Sequence, residues 1–324
     1  MIAMTWRQHR AQLLIAAAAL LTAVTYLLIT GAVRASYADR IGLTACLAGK
    51  ARDCGPLAGA WFSRFGGIPV AFTLLAGLPL LAGLFWGAPL IAREVETGTY
   101  RVAWTQSVSR THWLAVKLSM FLAVIVAAAA ALSLSFSYWF HLYSQVSNAG
   151  YSDVARLAPP AFDLSGIAPL GTMLFAFGIG TAAGALIRRT VPAMAVTLGG
   201  YLGAILPLET LRYTILAPLT TTGRFTNSSF PLPNGAYSLS TGYATASGRP
   251  VPFSYLFQVC GHQLSGNQVG IHLSCLVAHG FRSTEVYQPA SRYWPLQGIY
   301  AGSLALAGVA LIGVAIWWTA RRVS

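Results

Sequence analysis

The sequence predicts an all-α integral membrane protein with six transmembrane helices and one small domain outside the bilayer. Three observations carry that expectation. Charged residues make up 9% of the 324-residue chain against 56% hydrophobic ones, with a mean hydropathy of +0.60. Soluble domains carry roughly 25% charged residues, and a lipid-facing surface is what makes charge costly. Six apolar runs of helix length follow one another along the chain, and all four cysteines lie outside them.

The first 12 residues are short and basic, with Trp6, Arg7, His9 and Arg10. The apolar run that follows, 13–29, exceeds the roughly 7–15 residues of a signal-peptide core. It therefore reads as a retained first span. The second run, 68–91, is punctuated by Pro69, Pro79 and Pro89. The third covers 118–140. The fourth, 167–186, is closed by Arg188 and Arg189, and the sixth, 297–318, by Arg321 and Arg322. A spanning helix needs about 20 residues. The fifth run, 193–208, is short for a span, with room to extend towards Ile215. Residues 1–208 thus form a transmembrane domain of five spans, and 297–324 a sixth span with a cytoplasmic C-terminus. Between them, 209–296 is rich in Gly, Ser, Thr, Pro and Tyr and too long for a simple connection. It reads as a small extracellular cap with β-like pieces such as 252–259. No 20–50-residue repeat is present.

Charge orients the chain. With the N-terminus inside, segments 1–12, 92–117, 187–192 and 319–324 face the cytoplasm; their 50 residues hold 10 of the 21 basic residues. The 152 residues outside hold the other 11. Basic residues concentrate on cytoplasmic segments. One segment runs the other way: Arg34, Arg40, Lys50, Arg52 and Arg64 all fall in 30–67. Cys46, Cys54, Cys260 and Cys275 all lie outside in this orientation, where disulfides persist. Neighbour pairing, Cys46–Cys54 and Cys260–Cys275, is the expected choice among 3 connectivities. The formal net charge of +13 does not mark a nucleic-acid binder, because the basic residues cap apolar runs instead of forming a patch.

Several chemistries are excluded. The lysines are Lys50, before Ala51, and Lys117, before Leu118, so no P-loop exists. Neither His-Glu-x-x-His nor Gly-x-Ser-x-Gly occurs. Catalytic, cofactor-binding and metal-binding residues are expected to be absent. No acidic residue falls inside a span as drawn; Glu209 would enter only if the fifth span passed Leu208. That argues against a proton-driven transporter and an intramembrane hydrolase. A facilitator, or a subunit energised by another protein, remains.

The most informative stretch is the inside loop 92–117. Glu94 and Glu96 stand at the membrane exit, followed by Gly98, which can take positive φ. Thr99 can cap a short helix. Tyr100, Ala103, Trp104 and Ser107 then share one helical face, and aromatic residues there need something to pack on.

The run Arg93-Glu94-x-Glu96-x-Gly98-Thr99, then Trp104-Thr105-Gln106-Ser107-Val108-Ser109-Arg110, then Trp113 and Lys117, resembles permease subunits of type-two ATP-binding-cassette exporters. The branch it is similar to is the one common in GC-rich bacteria. Trp6-Arg7-Gln8-His9-Arg10, Arg188-Arg189-Thr190-Val191-Pro192-Ala193 and Tyr287-Gln288-Pro289-Ala290-Ser291-Arg292-Tyr293-Trp294 carry the same resemblance. It implies six spans per subunit and a dimer of like or unlike permease subunits in the bacterial cell membrane. A separate cytoplasmic ATPase would bind the ATP and Mg. An elbow helix would lie on the membrane around Thr5–Gln12, including Trp6, Arg7 and Arg10. The loop bearing Glu94, Glu96, Gly98, Thr99, Tyr100 and Trp104 would be the coupling helix received by the ATPase, with Glu94 and Glu96 placed to pair with Arg7, Arg10 or that ATPase. The 209–296 region is larger than the usual pattern.

Gly180 and Gly184, and Gly199 and Gly203, have the spacing of tight membrane-helix packing. Ser133, Ser135 and Ser137 could line a path, although a membrane serine more often bonds its own i−4 carbonyl. The function expected is ATP-driven export of a small molecule or lipid-like compound. The alternative is a non-transporting membrane scaffold or sensor with an extracellular binding cap.

Overall fold

A computed structural model describes residues 2–49, 53–66, 71–98, 110–151, 155–224, 232–263, 269–271 and 273–322. Among them, six helices are long and apolar enough to cross a bilayer: Arg10–Arg40, Phe72–Thr97, His112–Asn148, Ala168–Ile187, Thr190–Leu211 and Ala290–Arg321. The chain divides into two compact units. The first contains Met1–Leu142, Pro159–Thr210 and Trp294–Ser324; the second contains Tyr143–Ala158 and Leu211–Tyr293.

In the first unit, the first helix runs unbroken from Ile2 to Arg40. No break separates the expected elbow segment from the span. The side chains of Trp6 and Arg7 lie outside the described residues; Arg10 is exposed. The helix is 39 residues long, far beyond the roughly 20 a bilayer needs. After it comes a small two-helix segment, Leu43–Ala48 and Gly55–Phe65, closed by the Cys46–Cys54 disulfide.

The second span is segmented, as its prolines require. Leu78–Ala82 and Ala88–Thr97 each start with proline in the first helical turn, and a π-turn, Gly83–Gly87, joins them. Proline has no N–H and clashes with the preceding turn, so such a helix continues only by widening or breaking.

The fourth span is the central element, with 15 of its 20 residues buried. Two glycine faces allow this. A Cβ at Gly180 would collide with the Gly83 carbonyl oxygen, and one at Gly184 with that of Ala88, both on span two. On the other side, a Cβ at Gly171 would lie 2.6 Å from Ala301 Cα, and one at Gly178 2.7 Å from Gly308 Cα, both on span six. Helices approach this closely only where both backbones lack bulk. The Gly180/Gly184 pair therefore serves a crossing inside the chain. Gly199 and Gly203 on span five meet nothing within 4 Å.

Before the fourth span the backbone breaks at residues 165–167, and side chains meet the orphan groups. Gln297, fully buried on span six, accepts from the Ile167 and Ala168 N–H groups at 3.1 and 2.8 Å and donates to the Phe162 and Ser165 carbonyls at 2.8 and 3.2 Å. Ser133 Oγ donates to the Gly166 carbonyl at 2.6 Å. Ser135 Oγ donates to its own i−4 carbonyl at Ala131, and Ser137 is half-buried. Two of the three serines thus support backbone.

The fifth span runs to Leu211, three residues past its expected end. This corrects the reading that no acid lies within a span. Glu209 falls inside it, and its Oε1 accepts from the Tyr300 hydroxyl at 3.1 Å. A hydroxyl from span six lets an acid sit where sequence alone argues against one.

The second unit centres on a four-stranded antiparallel sheet. Its strands are β1 (Leu219–Arg224), β2 (Tyr237–Ala244), β3 (Pro250–Val251) and β6 (Arg282–Gln288), in the order β1-β6-β2-β3. A separate hairpin pairs β4 (Gly261–Gln263) with β5 (Val269–Ile271). The β-like piece 252–259 is corrected: Phe253–Cys260 is a helix started by Pro252. Its apolar residues Phe253, Leu256, Phe257 and Cys260 follow the helical spacing, and Leu256 and Cys260 pack with Leu276 and Phe281. The Cys260–Cys275 disulfide joins this helix to Leu273–Ala278. Both disulfides pair neighbours as expected. The segment Tyr143–Ala158 also belongs here: the Tyr213 hydroxyl donates to the Leu157 carbonyl at 2.8 Å, and the Arg156 guanidinium lies 4.3 Å from the Tyr293 ring centroid.

Candidate functional site

The loop expected to couple starts at one end of the first unit, where spans two, three, four and five converge. Small residues make that convergence possible. Ala88 and Ala92 of span two, Ala183 of span four and Ala193 of span five form one buried cluster, flanked by Ile187 and Met194. Alanine favours the helix and keeps the axes close.

Directly beyond Ala92, the two acids of the motif take different partners. Lys117 Nζ on span three forms an ion pair with Glu94 Oε1. The Lys117 side chain is 2% exposed and that of Glu94 12%. The ammonium also lies 4.6 Å from the ring centroid of the buried Trp113. An ammonium buried in this way is stable only when paired, and the helical i, i+4 spacing of Trp113 and Lys117 puts ring and charge on one face. Glu96 points elsewhere. Its Oε2 accepts from the Thr190 N–H at 2.9 Å and the Thr190 hydroxyl at 2.8 Å. Thr190 opens span five, where N–H groups lack intrahelical partners and the helix dipole favours an anion.

Gly98 ends the span-two helix in the left-handed region, φ 72°, and its N–H reaches back to the Val95 carbonyl. A Cβ there would meet nothing within 4 Å; glycine is needed for conformation, not space. Arg188 closes span four in the same region, φ 61°, which turns the chain tightly into Thr190.

Glu94, Glu96 and Gly98 are thus brought together. Thr99, Tyr100 and Trp104, expected on the coupling helix, lie outside the described residues. The structure gives Glu94 and Glu96 partners other than the elbow arginines: the motif lysine and the start of the fifth span. Lys117 and Thr190 carry the family resemblance, yet the sequence alone does not mark them as site residues. A signal is present, since two acids on a short segment need two partners, and Lys117 directly precedes the third apolar run, 118–140. Among the described residues, Cys260, Cys275 and His279 lie close enough to hold a metal, but the two sulfurs are joined to each other.

Residues 16–212 match the family described as ABC-2 membrane transporter related. Neither a curated protein nor a solved structure matches the chain. The matched stretch includes both sides of the Glu94–Lys117 and Glu96–Thr190 contacts and ends one residue past the fifth span. With six apolar helices, a motif that joins three of them at one end, and a match over more than half its length, the chain belongs to the ABC-2 membrane-transporter-related family, as a multi-pass membrane component of a transporter that is not itself catalytic.

Proposed function

We propose that the chain is the permease subunit of an ATP-driven exporter, energised by a separate cytoplasmic ATPase and paired with a second permease subunit. Its cargo would be a small molecule or lipid-like compound, and both termini would be cytoplasmic. One observation supports the reading: the residues that flank 99–109 in the chain are tied to three of the spans. On its N-terminal side Glu94 is tied to span three through Lys117, and Glu96 to span five through Thr190. On its C-terminal side the chain enters span three at once. A push on a docked segment would therefore reach three spans together. A scaffold or sensor has no need of such a linkage. Tyr100 and Trp104 are proposed to fill the ATPase cleft, since buried aromatics dominate many interfaces.

The test is functional. Trp104→Ala should leave the protein inserted and co-purifying with its ATPase, with basal ATP hydrolysis intact. Transport, and stimulation of hydrolysis by cargo, should be lost. Normal transport by this variant, with the ATPase still required, would show that another surface carries the signal.

A further inference from the structure

At the opposite end of the first unit, where the Cys46–Cys54 disulfide lies, three arginines interleave with aromatic rings. The Arg34 guanidinium carbon is 4.0 Å from the Trp139 ring centroid and 5.6 Å from that of Phe65. Arg64 lies 5.8 Å from the Phe65 centroid and 5.0 Å from that of Tyr37. Arg40 lies 5.9 Å from the same Tyr37 centroid. Tyr37 and Phe65 meet edge to face at 5.4 Å. The order is Trp139, Arg34, Phe65, Arg64, Tyr37, Arg40, an unbroken alternation of ring and cation. Arg34, Tyr37 and Arg40 come from the last turns of the first helix, and Arg64 and Phe65 from the short helix pinned by the disulfide.

Arg34 is half-buried and anchors the ladder on Trp139, while Arg40 and Arg64 are exposed at its outer end. Arg40 Nε donates to the Ser36 carbonyl at 3.3 Å, which orients the rest of its guanidinium. A guanidinium beside a ring keeps N–H donors that can hold an anion, and its planar fork suits phosphate.

Depth identifies the anion. Between Arg10 and Arg34 the first helix has 23 uncharged residues, about 35 Å at 1.5 Å each, against a hydrocarbon core of about 30 Å. Arg34, Tyr37 and Arg40 therefore stand one after another at headgroup level. We propose that this ladder of arginines and rings binds the phosphate of an anionic phospholipid headgroup. The proposal is independent of the ATPase reading and of which leaflet this end faces.

Native mass spectrometry of the full-length protein, offered equal amounts of phosphatidylglycerol and phosphatidylcholine, tests it. The wild-type protein should retain phosphatidylglycerol in preference. Arg40→Gln/Arg64→Gln should lower that preference by roughly 30-fold, the effect of two basic residues at a charged membrane surface. The charge-matched control Arg224→Gln/Arg249→Gln, in the second unit, should retain it; both of its arginines are exposed. Inorganic phosphate at millimolar concentration should not displace the lipid. Equal retention of both lipids by the wild type, an unchanged preference in the ladder variant, or an equal loss in the control would overturn the proposal. Displacement by inorganic phosphate would overturn it too, in favour of a site for the free anion.

Discussion

The Lys117 ammonium is almost wholly buried, with Glu94 beside it and Trp113 over it. Removing one member of a buried pair strands the other, at a cost of about 3–5 kcal/mol, whereas replacing both by apolar residues of similar size is often neutral. Glu94→Ala should therefore lower thermal stability in detergent sharply, and Glu94→Leu/Lys117→Met should recover most of it. A double-mutant cycle with no coupling between the two positions would refute the pairing. If the pair also transmits motion, the double variant should be stable yet impaired in transport, which separates the two roles.

Helix packing shows the same logic one scale up. Gly180 and Gly199 sit on spans four and five with the same local pattern, Gly-xxx-Gly in an apolar helix. Only the first has a backbone against it. Gly180→Ala should cost about 1–3 kcal/mol through overpacking, while Gly199→Ala should be neutral or slightly favourable, since alanine is the better helix former. Comparable unfolding temperatures for the two variants would contradict the assigned crossing. Sequence and structure part company at this scale. Span existence is legible from apolar length, and both disulfides from loop membership. Which glycine pair is packed depends on Gly83 and Ala88, which lie on another span. The helix Phe253–Cys260 reads as strand because short apolar runs fit both periods. Gln297 is legible only as the start of a run, although it holds the break before span four. At the site, Glu94, Glu96 and Gly98 are readable from their motif. Their partners Lys117 and Thr190 are not, because they come from other spans.

For the whole molecule, orientation has the simplest measurement. By count, the basic loop 30–67 weighs against an inside N-terminus. In the fold, Arg34, Arg40 and Arg64 of that loop stack against rings, which gives them a structural reason to be there whichever side they face. Single cysteines at Ser107 and Ser238, in a background without native cysteines, should label differently with an impermeant thiol reagent. Ser238 should react in intact cells and Ser107 only after lysis. The reverse pattern would invert the proposed topology.

The chain passes between its two units four times. Tyr143 continues from span three, Pro159 leads back towards span four, Leu211 continues from span five and Trp294 resumes span six. Within the second unit, the hydrogen bonds of Tyr213 to Leu157 and of Gln288 to Tyr213 and Leu216 lock the entering and leaving segments to one another. By chain connectivity alone, four spans are spliced into that one hydrogen-bonded knot, and span one packs on span three where Gly31 meets Tyr138.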